Sequence, residues 1–220
     1  MNKINAASRI QAVFNQANGA ISSVQAAAFA ALSDGKLFEL YVLSEVLADL
    51  HLRGCPASFV GTSLAFKAGP GKIKLADPHF EVYPPRGPLL RLFVDIEFRT
   101  YGSQNQSTAD NSFTHELDVV LTTQNSGYPV HNEIALAVEC KSTANFKKTL
   151  LKEALGVRRE LGLLARPRES YLSRRGCRPP VIVPAANPAA EVWFAYLDPK
   201  GSDYQISPRA FGIQFRHFPL

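Results

Sequence analysis

The stretch "IALAVECKS", residues 134–142, joins an apolar run to a carboxylate and an ammonium two positions apart. An apolar run of this length is typical of a buried β-strand. Side chains alternate along a strand, so one face is predicted to carry Ile134, Leu136, Val138 and Cys140. The opposite face then carries two alanines, followed by Glu139 and Lys141. The two charges are therefore expected to project together, while the Cys140 side chain lies in the core.

A second strand is predicted at "HELDVVLTT", residues 115–123, joined to the first by the turn "QNSGYPVHNE". Alternation assigns its residues to two faces, one with Glu116, Asp118, Val120 and Thr122 and the other with Leu117, Val119 and Leu121. If the two strands form a hairpin, Asp118 lies beside Glu139. The sequence thus predicts two carboxylates and one amine at one edge of the sheet.

A further strand is predicted at "LLRLFVDIEFRTY", residues 89–101, which also alternates. In that pattern Asp95 and Glu97 share one face. We expect this weaker carboxylate pair to face solvent.

The predicted carboxylate and amine set suits metal-assisted hydrolysis of a phosphodiester bond. A hard cation such as Mg²⁺ prefers oxygen ligands and keeps waters and a phosphate oxygen around it. The predicted ligands are Asp118, Glu139 and the backbone carbonyl of Cys140. Lys141 is predicted to orient or deprotonate the attacking water and to stabilise charge on the phosphate. The alternative is a strand-end ion pair between Glu139 and Lys141, which is a common and weak interaction.

The segment "KLFELYVLSEVLADLHLRG", residues 36–54, gives the most convincing helical pattern in the chain. We expect Ser33 or Asp34 to cap its start and Gly54 to end it. Residues 3–32 are also typical of helix, as one or two helices interrupted near Gly19.

Glu39 falls in the middle of the apolar stripe of that helix, while Ser44 and Glu45 fall on its polar side. A carboxylate on a core-facing stripe is costly without a cation or hydrogen-bond donors. The predicted partner of Glu39 is a metal ion, a metal-bound water or Lys141. The alternative is that Glu39 lies in the first helical turn and is stabilised by the helix N-terminus.

Positive charge is concentrated directly after "ECK". Residues 141–180 hold eleven Lys or Arg and three acidic residues, a net charge of +8, whereas the whole chain carries +5. A local basic surface favours polyanions, nucleic acid first. The predicted nucleic-acid-binding residues are Lys147, Lys148, Lys152, Arg166, Arg168, Arg174 and Arg175. The alternative is a solvated helix face followed by a basic loop.

Length and cysteine usage limit the class of protein. The 220 residues suffice for one sizeable core, and no apolar run is long enough to span a membrane. The three cysteines lie far apart, so we expect neither a disulfide framework nor a zinc site. The expected compartment is therefore the reducing cytoplasm.

The predicted element order is helix, three strands, helix, strand, which indicates an α/β fold with a mixed sheet flanked by helices. We divide the chain into an N-terminal helical extension, residues 1–33, and a main domain, residues 34–220.

Over roughly residues 36–200 the chain resembles the PD-(D/E)XK nuclease superfamily, which has the restriction-endonuclease-like fold. The family pattern is a helix with a glutamate, a strand with an aspartate, and a strand ending in (D/E)-x-K. The matching residues here are Glu39, Asp118, Glu139 and Lys141. The chain departs from the family at the literal Pro-Asp, which is Leu117-Asp118, and in its long insertion at 70–88.

This resemblance implies a Mg²⁺-dependent nuclease, with Mn²⁺ as a substitute, that most often acts on DNA. Many members of the family serve in restriction, repair, recombination or phage defence, and a homodimer or a partner subunit would fit paired cuts on duplex DNA. One alternative is a catalytically inactive nucleic-acid-binding or assembly module with the same fold. Another is a carboxylate-pair hydrolase such as a glycosidase, which needs neither the lysine nor the basic flank.

Overall fold

A computed structural model of the chain describes residues 3–17, 32–61, 69–103, 107–164, 168–183, 186–187 and 190–219. Its helices are α1 (Lys3–Gln16), α2 (Asp34–Leu52), α3 (Lys148–Glu160), α4 (Tyr171–Arg174) and α5 (Ile206–Ala210). The main strands are β1 (Ala57–Val60), β2 (His79–Val82), β3 (Leu90–Arg99), β4 (Thr114–Thr122), β5 (Ile134–Lys141), β10 (Glu191–Tyr196) and β11 (Ile213–His217). Two short pairs form between β6 (Leu163–Leu164) and β9 (Ala186–Asn187), and between β7 (Arg168–Glu169) and β8 (Ile182–Val183).

One seven-stranded sheet organises the chain, in the order β1-β2-β3-β4-β5-β10-β11. Strands β1 to β5 form an antiparallel meander, whereas β5, β10 and β11 run parallel to one another. Helix α3 lies between β5 and β10 in the chain, which is the crossover that a parallel pair requires. The predicted α/β fold with a mixed sheet flanked by helices is confirmed.

Helices α1 and α2 cover one face of the sheet. The predicted α2 is confirmed: the Ser33 side chain accepts a hydrogen bond from the Lys36 amide at 3.3 Å, and Gly54 follows the helix with a φ of 76°. Ile10 and Phe14 of α1 are fully buried in the same core cluster as α2 and the sheet. Gly19, where an interruption was predicted, lies outside the described residues.

The polar side predicted for α2 is wrong for two residues. Ser44 is fully buried, and Glu45 is half-buried and paired with Arg9 of α1 at 2.7 Å. The physical reason is that α1 packs on this side of α2. The face that the helical projection assigns to solvent is therefore covered by a second helix.

Helix α3 covers the other face of the sheet. Its buried Ala154 and Val157 join a second core cluster with the aromatic side chains Phe93, Phe98 and Phe194. The molecule therefore has three layers, with α1 and α2 on one side of the sheet and α3 on the other. Among the described residues, no helix is long and apolar enough to cross a membrane.

Cys55 and Cys177 form a disulfide that joins the segment after α2 to the segment after α4. The expectation that the three cysteines form no disulfide is therefore wrong. The two residues are 122 positions apart in the chain, and only the fold brings them together. The prediction of a reducing compartment rested on the missing disulfide and loses that support.

A buried ion pair joins the C-terminus of α2 to the start of β10. Arg53 donates to both carboxylate oxygens of Glu191, at 3.0 and 2.8 Å, and Ser170 donates to the same carboxylate at 2.5 Å. Glu191 is fully buried and Arg53 is 5% exposed. Removing one partner of such a pair leaves an uncompensated buried charge, which costs more than removing both.

We expect Arg53→Met to lower the free energy of unfolding by about 3–5 kcal/mol, because Glu191 then stays buried without a cation. The double variant Arg53→Met/Glu191→Met should recover most of that loss. Urea unfolding followed by circular dichroism measures both. Arg9→Met, which breaks the half-exposed pair with Glu45, is the control and should cost less than about 1 kcal/mol. A double variant less stable than the single one would contradict the assignment.

Candidate metal centre

Strand β3 changes faces at Asp95. Leu92 and Val94 pack in the core cluster under α2, whereas Ile96 and Phe98 pack in the cluster under α3. Asp95 has a φ of 53°, so the regular alternation is broken at this residue. Asp95 is 4% exposed, and the prediction that it faces solvent is wrong.

Strand β4 changes faces at the neighbouring position, Asp118. Val119 packs under α2 and Leu117 packs under α3, so the prediction that these two share a face is wrong. The pairs Val94↔Val119 and Ile96↔Leu117 lie on either side of Asp95 and Asp118. The two strands therefore turn over together, and their aspartates come side by side.

The next strand continues this row of carboxylates. Strands β4 and β5 are antiparallel and Val119 pairs with Val138, so Asp118, one residue before Val119, lies next to Glu139, one residue after Val138. Cys140 packs against the core under α2, as predicted, and its amide donates to Asp118 Oδ2 at 2.6 Å. Burial, together with the nearby carboxylates, raises the pKa of the Cys140 thiol well above its usual value, so this side chain is no nucleophile.

Asp118, Glu139 and Lys141 line one cleft of about 450 Å³ between the sheet and α3. Lys141 Nζ lies 3.6 Å from Glu139 Oε2 and 3.5 Å from Glu153 Oε2 on α3. The other charged or titratable residues that line the cleft are His115, Glu116 and Glu160. Five carboxylates thus meet one ammonium, a composition that favours cations.

Glu39 lies behind this cleft, at the N-terminal end of α2. Oxygens of Glu39, Asp95 and Asp118 lie within 4.8 Å of one another. We call these three residues the acid cluster. Lys36 Nζ donates to Glu39 Oε2 at 2.7 Å and also to Asp95 Oδ2. The described partner of Glu39 is thus Lys36 and not the predicted Lys141.

Crowding of buried carboxylates changes their protonation. Burial first, and then the negative charge of Glu39, raises the pKa of Asp118 to about 7, against the hydrogen bond from the Cys140 amide. Burial and the charge of Asp118 raise the pKa of Glu139 to about 8. Burial alone would lower the pKa of Lys141, but the surrounding carboxylates outweigh it and raise that pKa. Lys141 is therefore an ammonium at neutral pH.

The donor set fits a hard divalent cation. Asp118 belongs to the acid cluster and also lines the cleft with Glu139, so its carboxylate connects the acid cluster to the cleft. Carboxylates that hold protons near neutral pH release them to a cation that offers stronger charge compensation. Asp118 and Glu139 are the side chains that could hold an ion exposed to the cleft, and Asp95 and Glu39 lie directly behind them.

The predicted nucleic-acid-binding residues fall at two separate places. Lys147, Lys148 and Lys152 are exposed at the start of α3, the helix whose Glu153 contacts Lys141. Arg168 and Arg174 are also exposed, but they belong to the segment tied to the C-terminal end of α2.

Backbone contacts define the position of the segment that carries Arg168 and Arg174. The Arg178 amide donates to the Arg53 carbonyl. Arg53 lies about 20 Å from Glu39 along the axis of α2, so this segment is far from the acid cluster. Arg175 stacks on the Tyr171 ring at 4.8 Å, and Arg166 lies outside the described residues. Arg158, which contributed to the basic charge of the segment, is 1% exposed and forms no part of the surface.

Two residues of the centre were not predicted to belong to it: Asp95, which was expected to face solvent, and Lys36. Aspartate is a poor strand residue, and its place inside "LFVDIEF" was a signal of special backbone geometry. The signal for Lys36 was its spacing of three residues from Glu39, which puts both on one side of a helix.

Comparison with protein-family models, with curated proteins and with solved structures finds no match for this chain.

We expect the metal-free protein to lose stability as pH rises from about 4 to about 8. Unfolded carboxyl groups lose their protons near pH 4, whereas folded Asp118 and Glu139 keep theirs to about 7 and 8. The folded state therefore holds more protons in this window, and stability falls with pH. Thermal unfolding in EDTA measures the effect, and about 1 kcal/mol corresponds to about 2–4 °C for a chain of this size.

Asp118→Asn should flatten this pH profile and be more stable than the wild type at pH 8 in EDTA, because it removes one buried charge. Mg²⁺ should stabilise the wild type more at pH 8 than at pH 6, since the ion replaces protons. The exposed Asp203→Asn serves as control and should leave the profile unchanged. A wild-type stability that rises between pH 5 and pH 8 in EDTA would refute the assignment.

Proposed function

We propose that the protein is a metal-dependent nuclease that hydrolyses phosphodiester bonds, with Mg²⁺ as the expected ion and DNA as the expected substrate. The supporting observation is the convergence of Asp118, Glu139 and Lys141 in one cleft, backed by the carboxylates of Asp95 and Glu39. The restriction-endonuclease-like fold and a place in restriction or phage defence are part of this proposal, and they rest on the resemblance of these motifs to the superfamily.

The metal ion would be held by Asp118 and Glu139, with the Cys140 carbonyl as the proposed third ligand. When bound, such an ion lowers the pKa of a water and polarises the phosphate. The Cys140 amide fixes the orientation of Asp118 through the 2.6 Å hydrogen bond. A ligand that is fixed in this way loses no rotamer entropy when it binds the ion.

Lys141 would act as a fixed positive charge towards the phosphate. Its ammonium is placed by two carboxylates, Glu139 from its own strand and Glu153 from α3. The raised pKa of Lys141 favours charge stabilisation over the alternative role of base. A proton from an attacking water would instead pass to solvent.

The charge pattern around the cleft agrees with a polyanionic substrate that needs a metal ion. Five carboxylates would repel a phosphate in the absence of a bound cation. The exposed Lys147, Lys148 and Lys152 at the start of α3 supply positive charge next to the cleft. Phosphate contacts of this kind position a nucleic acid without specifying its sequence.

We expect Asp118→Asn, Glu139→Gln and Lys141→Met each to reduce Mg²⁺-dependent cleavage of DNA by about 100-fold or more, because each removes a charge at the reacting phosphate. Cleavage of plasmid and linear DNA, with Mg²⁺ or EDTA, measures the effect. Glu45→Gln, whose side chain pairs with Arg9 away from the cleft, should retain full activity. Activity of Asp118→Asn equal to the wild type with every metal would refute the proposed centre.

A second candidate function is a nucleic-acid-binding module without catalysis. The exposed Arg168 and Arg174 favour it: no acidic side chain among the described residues pairs with either of them, and they lie in a segment remote from the acid cluster. Such a module would bind DNA in a salt-dependent manner and leave it intact.

DNA binding in Ca²⁺ or EDTA should separate the two basic groups. Lys148→Glu/Lys152→Glu is expected to weaken binding and to lower the salt slope by about 2, because two phosphate contacts next to the cleft are lost. Arg168→Glu/Arg174→Glu is the matched pair and should leave cleavage of short oligonucleotides unchanged. The module hypothesis predicts the reverse ranking in binding, with no cleavage by any variant.

A further inference from the structure

The acid cluster already contains a cation, the ammonium of Lys36. This ammonium donates to Glu39 at 2.7 Å and to Asp95. The side chain of Asp95 is 6% exposed and that of Lys36 is 27% exposed, so the contact is largely shielded from water. Burial would lower the pKa of Lys36, but its hydrogen bonds to Asp95 and Glu39 raise it, so the charge persists at neutral pH.

The fold fixes this ammonium in place. Lys36 lies in the first turn of α2, where its amide is capped by Ser33, and three residues ahead of Glu39. The start of α2 also lies against the end of β5, because a Cβ built on Gly35 would be 3.6 Å from Ser142 Oγ. The helix that supplies Glu39 to the cluster therefore supplies its counter-ion too.

An ammonium and a divalent ion exclude each other at these oxygens. Their like charges repel, and at a given distance a divalent ion repels an ammonium twice as strongly as a monovalent ion does. Asp95 and Glu39 are thus occupied by Lys36. Asp118 and Glu139, in contrast, line the open cleft. The ammonium there, Lys141, lies 3.6 Å from Glu139 and 3.5 Å from Glu153, farther than the 2.7 Å between Lys36 and Glu39.

We propose that Lys36 is the built-in cation of the acid cluster and limits the centre to one divalent ion, held on the cleft side by Asp118 and Glu139. This inference rests on the proposed function for the presence of that ion. Lys36 is then a positioning residue, because it holds Glu39 and Asp95 behind the ligand Asp118 without touching the substrate. Its removal should convert a one-ion centre into a two-ion centre.

Counting bound Mn²⁺ by calorimetry and electron paramagnetic resonance tests this inference. The wild type should bind one ion per chain with an isolated-ion spectrum. Lys36→Met should bind two, with the spin coupling of ions a few ångströms apart, whereas Lys36→Arg should again bind one. Lys3→Met is the matched control, because Lys3 also pairs with a first-turn acid of α2, Asp34, at 2.9 Å, and it should leave the count at one.

Two further measurements keep the test decisive if Lys36→Met does not fold. Asp95→Asn leaves Lys36 paired with Glu39 and should still bind one ion. Lys36→Gln removes the charge but keeps a side chain that can donate to Asp95 or Glu39, and it should bind two. A wild type that binds two ions, or a folded Lys36→Met or Lys36→Gln that binds only one, overturns the inference.

DNA cleavage measured on the same samples distinguishes failure of this inference from failure of the proposed nuclease function. DNA cleavage with two ions in the wild type would refute the role of Lys36 and leave the nuclease proposal intact. A wild type that binds no divalent ion and cleaves no DNA would refute both.

Discussion

Like-charge repulsion between buried carboxylates is the constraint on which the centre depends. Asp95, Asp118 and Glu139 come from three adjacent strands, and Glu39 approaches them from α2. Such a group is stable only if protons or cations balance it. The surrounding structure supplies this balance with Lys36, Lys141 and the Cys140 amide. The fold thus holds in advance the negative charge that a divalent ion would neutralise.

The sheet can carry these carboxylates because two of its strands change faces together. Asp95 has a positive φ, a conformation that costs a non-glycine residue about 1–3 kcal/mol. The apolar residues on both sides of the switch remain buried, on one face before it and on the other face after it. The backbone therefore brings aspartates to the centre of the sheet without exposing the core, and the cost of the unusual backbone is confined to one residue.

The parts of the centre that depend on local periodicity could be predicted from the sequence. Glu139 and Lys141 share a face because alternation holds from Leu136 to the end of β5, although Ile134 and Ala135 lie on the faces opposite to those predicted. The connection at 123–133 brings Asp118 beside the two charges. Asp95 could not be placed in the same way, since its reversed φ breaks the alternation on which the prediction relied.

Features that depend on contacts between distant segments were missed for a different reason. The burial of Ser44 and the pairing of Glu45 depend on α1, and the disulfide depends on a contact across 122 residues. None of these leaves a periodic signal in its own segment. The mixed sheet itself was predictable, because the order of strands and helices restricts the topologies that can form.

The paired aspartates also have a consequence for how the strands find each other during folding. With Asp95 beside Asp118, Asp95 accepts a hydrogen bond from the Lys36 ammonium and Asp118 accepts one from the Cys140 amide. A slip of β3 against β4 by one residue would set an aspartate against an apolar neighbour and push it into one of the two cores, where an unbalanced charge is far more costly than an unpaired methyl group. The same residues that we assign to chemistry therefore select the strand register, so a sequence that lost the charges would also lose part of the specificity of its own sheet.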